Sequence, residues 1–272
     1  MPVQQRNNVK VIGDGPVTLI FGHGFGCDQR MWRFMLPAFA NRYRVVLYDL
    51  VGSGSPDLSM YFQHKYERLE GYARDLLEII HAFGQGPVVL VGHSVSAMIG
   101  VLADRMEPGC VSGHVMVGPS PCYIDGDGYV GGFSAADIDS LLDTLDSNYL
   151  GWSRSMAPSI MGAPEQPELG DELVNSFCRT NPDIARHFAR VTFMSDNRKD
   201  VQGLTTPTLI LQCTDDLIAP LEVGDYLHAA IPGSTLSLIE NTGHCPHMSA
   251  PRACIEAIEQ FLQPYGQVPD AL

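Results

Sequence analysis

The sequence predicts an α/β fold in which a mostly parallel sheet carries helices on both faces. Short apolar runs rich in β-branched residues alternate with helical patterns, which is typical of parallel sheets. The alternation stops after residue 121, and strand signals resume at Thr208. A chain of 272 residues is long enough for one large domain with an insertion. We therefore expect a core of residues 1–121 and 205–272, and an inserted helical lid of residues 122–204 above the strand ends, where open α/β sheets bind ligands.

Two glycine-rich turns follow the first two buried strands. Residues 17–21 form an apolar run that leads into Gly22-His23-Gly24-Phe25-Gly26, and such a turn frees backbone N–H groups. Residues 44–50 lead into Gly52-Ser53-Gly54-Ser55. That second segment lacks the Lys and the following helix of a phosphate-binding loop, so its sequence predicts a tight turn and no phosphate site.

The third strand predicts a nucleophilic serine. Residues 87–91 are a continuous apolar run, and Gly92-His93-Ser94-Val95-Ser96 opens a buried helical pattern directly after it. A strand, a tight turn and a helix are the context that exposes a serine above the edge of a sheet. A serine that only caps the helix is the alternative. Glycine is usual at the last position of this motif, and Ser96 supplies another small side chain there.

The same spacing recurs at Gly151-Trp152-Ser153-Arg154-Ser155. No strand precedes that segment, so the spacing alone is weak and the local context favours Ser94. With Ser94 as nucleophile, backbone donors for an oxyanion come from the next residue, Val95, and from the first glycine-rich turn, where Phe25 is the expected donor.

An acid and a base are available on two later loops. Asp215 and Asp216 follow one predicted strand, and His244 and His247 follow the next. A serine hydroxyl needs a base to take its proton and a carboxylate to orient that base. The order Ser, Asp, His is that of the α/β-hydrolase triad. These patterns do not choose between the two acids or between the two histidines.

The inserted segment predicts three amphipathic helices, around residues 138–145, 173–178 and 184–192. Aromatic side chains of this segment either line an apolar substrate pocket or pack the lid itself. They are Phe133, Trp152, Phe188 and Phe193.

The composition excludes several classes of function. With 17 basic and 31 acidic residues, the net charge of −14 argues against nucleic acid and anionic membranes as partners. The first eight residues lack an apolar signal-peptide segment, and no segment approaches a membrane span. Seven cysteines without C-x-x-C pairs predict reduced thiols and a cytoplasmic protein. No metal-binding or cofactor motif is present, so we expect neither a metal nor a cofactor.

Longer sequence words extend these motifs over nearly the whole chain, including the inserted segment. They are residues 22–29, 48–54, 92–98, 117–123, 131–133, 148–152 and 243–249. In these words the chain closely resembles the RsbQ-like α/β hydrolases, a bacterial stress-signalling family related to the plant karrikin and strigolactone receptors. The words in the inserted segment make the resemblance specific, because hydrolases in general share the serine motif and not those words.

The resemblance implies a role for each candidate residue. Ser94 would be the nucleophile, Asp216 the acid and His244 the base, with Phe25 and Val95 as oxyanion donors. At the position of Ser96, the chain matches the plant receptors, whereas RsbQ has the usual glycine.

Two functions from different classes follow from the resemblance. One is a serine hydrolase that acts on a small apolar ester or butenolide-like lactone and serves as a ligand-sensing signalling protein, with a PAS-domain phosphatase as its partner. The alternative is a plain metabolic carboxylesterase or lactonase without a signalling partner.

Overall fold

The computed structural model describes residues 2–54 and 58–265. Seven strands of these residues form a single sheet. They are β1 (Lys10–Ile12), β2 (Thr18–Gly22), β3 (Arg44–Leu47), β4 (Val88–His93), β5 (Gly113–Val117), β6 (Thr208–Asp215) and β7 (Thr235–Thr242). The strand order is β1-β3-β2-β4-β5-β6-β7, and all neighbouring pairs are parallel except β1 with β3. The predicted fold class is confirmed.

Helices cover both faces of the sheet. They are α1 (Val3–Arg6), α2 (Leu36–Phe39), α3 (Leu69–Phe83), α4 (Val95–Met106), α5 (Ala135–Met161), α6 (Pro167–Arg179), α7 (Pro182–Phe193), α8 (Arg198–Val201), α9 (Leu221–Ala230), α10 (Pro246–Ser249) and α11 (Pro251–Leu262). Three short 3₁₀ turns complete the elements: Gln29–Trp32, Gln63–Tyr66 and Gln263–Tyr265.

The central strands are buried on both faces, as their continuous apolar sequences require. Successive side chains of β2 enter different cores, because side chains alternate across a strand. Leu19 and Phe21 pack into the core that also contains Trp32, whereas Ile20 packs into the core on the opposite face. The sheet is thereby fixed from both sides.

The segment between β5 and β6 is helical, as the sequence predicts, and its first helix is bent. Asn148 interrupts α5 with φ −154° and ψ 67°. Its side-chain Oδ1 accepts a hydrogen bond from the backbone N–H of Gly151 at 3.0 Å, as an N-cap side chain does. The second half of α5 therefore begins anew at Asn148. It ends at Gly162, which adopts the left-handed conformation common after helices.

Within the described residues, none of the helices combines the length and the apolar character needed to cross a membrane. All seven cysteines are free thiols.

Candidate active site

Ser94 lies on a strained turn between β4 and α4. Its backbone has φ 55° and ψ −123°, a region that side-chain-bearing residues rarely occupy. Such strain costs about 1–3 kcal/mol and persists only where the surroundings impose it. The Ser94 N–H donates to the carbonyl of Val117 on β5 at 2.8 Å, which ties the turn to the sheet. Gly92 leaves no room for a side chain, since a Cβ there would lie 2.7 Å from the backbone nitrogen of Ala97.

Ser96 occupies the usual glycine position and makes a contact that glycine cannot make. Its Oγ donates to the carbonyl of His23 at 2.5 Å, which joins α4 to the glycine-rich turn after β2. Space on that side is limited, because a Cβ on Gly22 would lie 3.0 Å from the Ser96 side chain. A small hydroxyl side chain is therefore compatible with this packing.

His244 links Ser94 to Asp216. The His244 Nε2 lies 2.8 Å from the Ser94 Oγ, and its Nδ1 lies 2.7 Å from the Asp216 Oδ2. We assign the proton to Nδ1, which then donates to the carboxylate, so that Nε2 accepts from the serine hydroxyl. This arrangement can remove the serine proton and stabilise the imidazolium that results.

Asp216 is buried and fully hydrogen-bonded, whereas Asp215 is exposed. The Asp216 Oδ1 accepts from the backbone N–H groups of Ile218 at 2.8 Å and Ala219 at 3.2 Å. Burial opposes ionisation of the Asp216 carboxyl, but the charge and hydrogen bond of His244 and these N–H donors outweigh it and lower its pKa. The structure thus places Asp216, and not Asp215, beside the histidine.

His247 lies behind the site, away from Ser94. Its ring packs 4.5 Å from the ring of Trp32 and 4.5 Å from the ring of His93. Neither of its ring nitrogens has a hydrogen-bond partner among the described residues. Burial, followed by the nearby His93 and His244, lowers the pKa of His247 well below its usual value. His247 is therefore a neutral side chain of the core.

The turn after β2 lies directly against the serine. A Cβ on Gly24 would be 2.4 Å from the His93 Nδ1 and 3.3 Å from the Ser94 Cβ. The structure therefore brings the turn that carries Phe25 next to the candidate nucleophile. Val95 is the first residue of α4, so its N–H has no acceptor within the helix. Both expected oxyanion donors belong to segments that border Ser94.

An apolar cavity of about 110 Å³ opens onto Ser94 and His244. Its aromatic wall consists of Phe25, Tyr123, Phe133, Trp152, Phe177 and Phe193, and its aliphatic wall of Leu141, Met156, Ile160, Leu173, Leu217 and Ile218. No Lys, Arg, Asp or Glu is present among the described residues that line it. Three of the four aromatic residues predicted to line a pocket, Phe133, Trp152 and Phe193, lie on this wall.

Phe188, the fourth of these aromatic residues, lies outside the cavity wall. Its ring packs 4.8 Å from Tyr72 of α3 and 5.9 Å from Phe25, and it does not line the cavity. Phe188 and Phe193 both belong to α7, but five residues of a helix turn the side-chain direction by about 140°. Phe193 therefore faces the cavity, whereas Phe188 packs against the core.

Sequence reasoning missed several wall residues, among them Tyr123, Cys27 and Cys245. Tyr123 follows β5 at the same sheet edge as Ser94, and this position in the sequence could have indicated that it lies near the site. Burial raises the pKa of Tyr123 to about 12, and its interaction with Ser94 opposes part of that shift. Burial also raises the pKa of both thiols, so that they remain protonated and weakly nucleophilic.

No group of three or more His, Cys, Asp or Glu side chains that could hold a metal ion occurs within the part of the chain that the structure describes.

Comparisons with known proteins show the family of this chain. The sequence pattern of the Alpha/beta hydrolase family matches residues 19–257. The chain is 38% identical over 251 residues to the Karrikin insensitive 2 receptor IA of Petunia hybrida, covering 92% of each chain. It is 35% identical over 256 residues to the Strigolactone esterase D14 of Arabidopsis thaliana, covering 94% of this chain and 96% of that one. The solved structure of a hydrolase from Oleispira antarctica superposes with a TM-score of 0.92 at 42% identity and 96% coverage of both chains. The predicted relationship to the plant receptors is confirmed.

The two buried neutral histidines predict a loss of stability in acid. Burial, reinforced by His244, lowers the pKa of His93 to about 3, and the pKa of His247 is also lowered. Below about pH 6.5 the unfolded chain binds a proton at each position that the folded chain does not bind, so the free energy of unfolding falls as pH falls. Each histidine contributes a slope of about 1.4 kcal/mol per pH unit. We expect His247→Leu to reduce the slope of the free energy of unfolding against pH by about that amount below pH 6.5. Urea unfolding at several pH values between 7.5 and 4.5 measures this slope.

The matched control for this measurement is His81→Leu, because His81 is exposed. An unchanged slope in His247→Leu would show that His247 is protonated in the folded protein, contrary to its assignment as a neutral core residue.

Proposed function

We propose that this chain, which belongs to the alpha/beta hydrolase family, hydrolyses small uncharged esters or lactones by a Ser94-His244-Asp216 triad. The observation that carries the proposal is the continuous set of hydrogen bonds from Ser94 Oγ through His244 to the buried Asp216, placed at the base of an apolar cavity. A serine that served only as a helix cap would need neither the histidine nor the carboxylate.

In the proposed reaction, Ser94 Oγ attacks the carbonyl carbon while its proton moves to His244 Nε2. The carbonyl oxygen becomes an oxyanion, which accepts hydrogen bonds from the N–H groups of Phe25 and Val95. The ester C–O bond then breaks, and the leaving alcohol takes the proton from His244. Water attacks the acyl-serine with His244 again as base, which releases the carboxylic acid and restores Ser94.

The cavity supports a small and uncharged substrate. Its volume of about 110 Å³ is smaller than the engineered cavity of about 150 Å³ that binds benzene. Its described lining offers no charged partner, and burial of an unpaired carboxylate costs several kcal/mol. A short acyl group or a butenolide-like lactone fits these two constraints.

A second proposed function is ligand sensing, with residues 122–204 as the lid. It is favoured by the contacts of one core ring, Phe25, which packs against four rings of the inserted segment. The ring centroids of Trp152, Phe177, Phe188 and Phe193 lie between 5.8 and 6.4 Å from that of Phe25. The lid and the turn after β2 that carries Phe25 therefore share one set of contacts. Through these contacts a bound ligand could alter the outer surface of the lid and its affinity for a partner protein.

The triad predicts large losses of activity for two substitutions with matched controls. Ser94→Ala and Asp216→Asn should each reduce kcat for p-nitrophenyl acetate by about 10⁴-fold or more, since the triad acts as a unit. Ser153→Ala should keep wild-type activity, because Ser153 has the same sequence spacing but donates to the Tyr149 carbonyl within α5. Asp215→Asn should also keep it, because that side chain is exposed.

Mass spectrometry of the intact protein provides the companion measurement. A fluorophosphonate should add to wild type and to both controls, and not to Ser94→Ala. Labelling of folded Ser94→Ala at an active-site residue, or equal losses in Asp215→Asn and Asp216→Asn, would contradict the assignment.

The cavity predicts a preference for short and neutral acyl groups. From p-nitrophenyl butyrate to the decanoate, kcat/KM should fall by about 5- to 150-fold, because overpacking a cavity costs about 1–3 kcal/mol. The mono-p-nitrophenyl ester of succinic acid should be a worse substrate than the butyrate by about 100-fold or more, because its carboxylate would be buried without a partner. Equal kcat/KM for butyrate and succinate esters would contradict the proposed substrate class.

Ligand sensing predicts a response that spreads beyond the cavity wall. With Ser94→Ala and a methyl-substituted butenolide, hydrogen exchange should change on exposed positions of α5–α7 as well as on pocket residues. A ligand shifts a conformation only if it binds the two states differently. Protection limited to the pocket residues would instead favour the plain esterase.

A further inference from the structure

We propose that the end of α5 positions His244. The backbone of Ile160 and the close contact of Gly162 with Gly243 hold the histidine loop from the side of the inserted helices. This inference rests on the proposed function, in which His244 is the base, and it assigns a part of the inserted segment to the geometry of the triad.

Three hydrogen bonds fix the backbone around His244, and each partner comes from a different part of the chain. The His244 N–H donates to the Ile160 carbonyl at 2.7 Å. The Gly243 N–H donates to the Asp215 carbonyl, also at 2.7 Å. The His93 Nε2 lies 2.8 Å from the His244 carbonyl and donates to it. The histidine loop is therefore held by β6, by the serine turn and by α5.

The Ile160 carbonyl is available because α5 ends one residue later. The last four carbonyls of a helix accept no hydrogen bond from within the helix. The Gly162 N–H, which follows the end of α5, donates to the Pro158 carbonyl at 2.9 Å. The carbonyl of Ile160 thus points past the helix end, where the His244 N–H uses it. If α5 continued for another turn, the Ile160 carbonyl would accept a hydrogen bond from the helix itself and not from the His244 N–H.

Two glycines allow the helix end and the loop to touch backbone to backbone. Gly162 has φ +63° and Gly243 has φ +106°. A Cβ on Gly162 would lie 2.7 Å from the Cα and nitrogen of Gly243, and a Cβ on Gly243 would lie 2.0 Å from the Met161 carbonyl oxygen. Cβ atoms essentially never approach other atoms so closely, so a side chain at either position must push the two segments apart.

Separation of the two segments would move the His244 backbone relative to Ser94. Proton transfer requires a distance near 2.8 Å between the His244 Nε2 and the Ser94 Oγ, as observed here. A misplacement of 1 Å costs about 100-fold in rate. Most of the cavity wall does not depend on this contact, so binding of substrate should change much less than acylation.

Gly162→Ala tests the inference against Gly233→Ala as matched control. Gly233 has φ +74°, but a Cβ there would meet nothing within 4 Å, so the control carries the same backbone strain without the contact. Stopped-flow release of p-nitrophenol from p-nitrophenyl acetate gives the acylation rate constant and the apparent Kd. We expect acylation to fall about 30- to 100-fold in Gly162→Ala, with Kd within about threefold of wild type and Gly233→Ala close to wild type.

Gly162→Asn separates the contact from backbone strain in a second way. Asparagine tolerates the left-handed conformation, but its Cβ meets Gly243 as that of alanine does. It should therefore lose acylation as Gly162→Ala does, while both variants retain the wild-type circular dichroism spectrum.

Acylation by Gly162→Ala and Gly162→Asn at the rate of Gly233→Ala would overturn the inference. Unfolding of both variants while Gly233→Ala stays folded would also overturn it, because the contact would then serve stability alone. Failure of the proposed function is distinct from either result, because wild type itself would then show no acyl group on Ser94 by mass spectrometry.

Discussion

The parallel pairing of β4, β5, β6 and β7 is the constraint on which the candidate active site depends. Parallel strands end at the same edge, so loops that follow different strands meet there. Ser94 and His244 are 150 residues apart in the chain and yet lie within hydrogen-bond distance. Registers such as His93 with Val117 and Asp215 with Thr242 fix how far each strand extends before its loop begins. A shift in one register would separate groups that must lie within about 3 Å of each other.

The polar groups at this edge are supported by an apolar surrounding. Asp216 is shielded from water, and the three hydrogen bonds that it accepts compensate its negative charge. The cavity above Ser94 is lined mainly by apolar side chains, which strengthens each of these hydrogen bonds by excluding water. His93, which lines the cavity, and His247, which packs behind His93, are neutral and add bulk without adding charge.

The sequence was most informative where the chemistry depends on local structure. The strand before Ser94 distinguished it from Ser153, and the helical periodicity located α5, α6 and α7. Local patterns could not separate Asp216 from Asp215 or His244 from His247, because each pair shares a loop and differs only in side-chain direction, which tertiary packing sets. The resemblance to a known family made those choices, and the structure places the chosen residues together. Strand β1 has three exposed residues, which are too few to show a periodicity. The sequence could not assign Phe188 and Phe193 to the core or to the cavity, because apolar faces of α7 point toward both.

The small cavity volume links binding to the position of the inserted helices. A ligand that fills the cavity of about 110 Å³ must pack against its aromatic wall. That wall includes Trp152, Phe177 and Phe193, whose rings also contact Phe25 on the turn that borders Ser94. Movement of the wall therefore changes the packing around an expected oxyanion donor, while the end of α5 contacts the loop of His244. In this architecture the groups proposed for chemistry and the helices proposed to respond to ligand are joined by direct contacts, so one ligand can bias both.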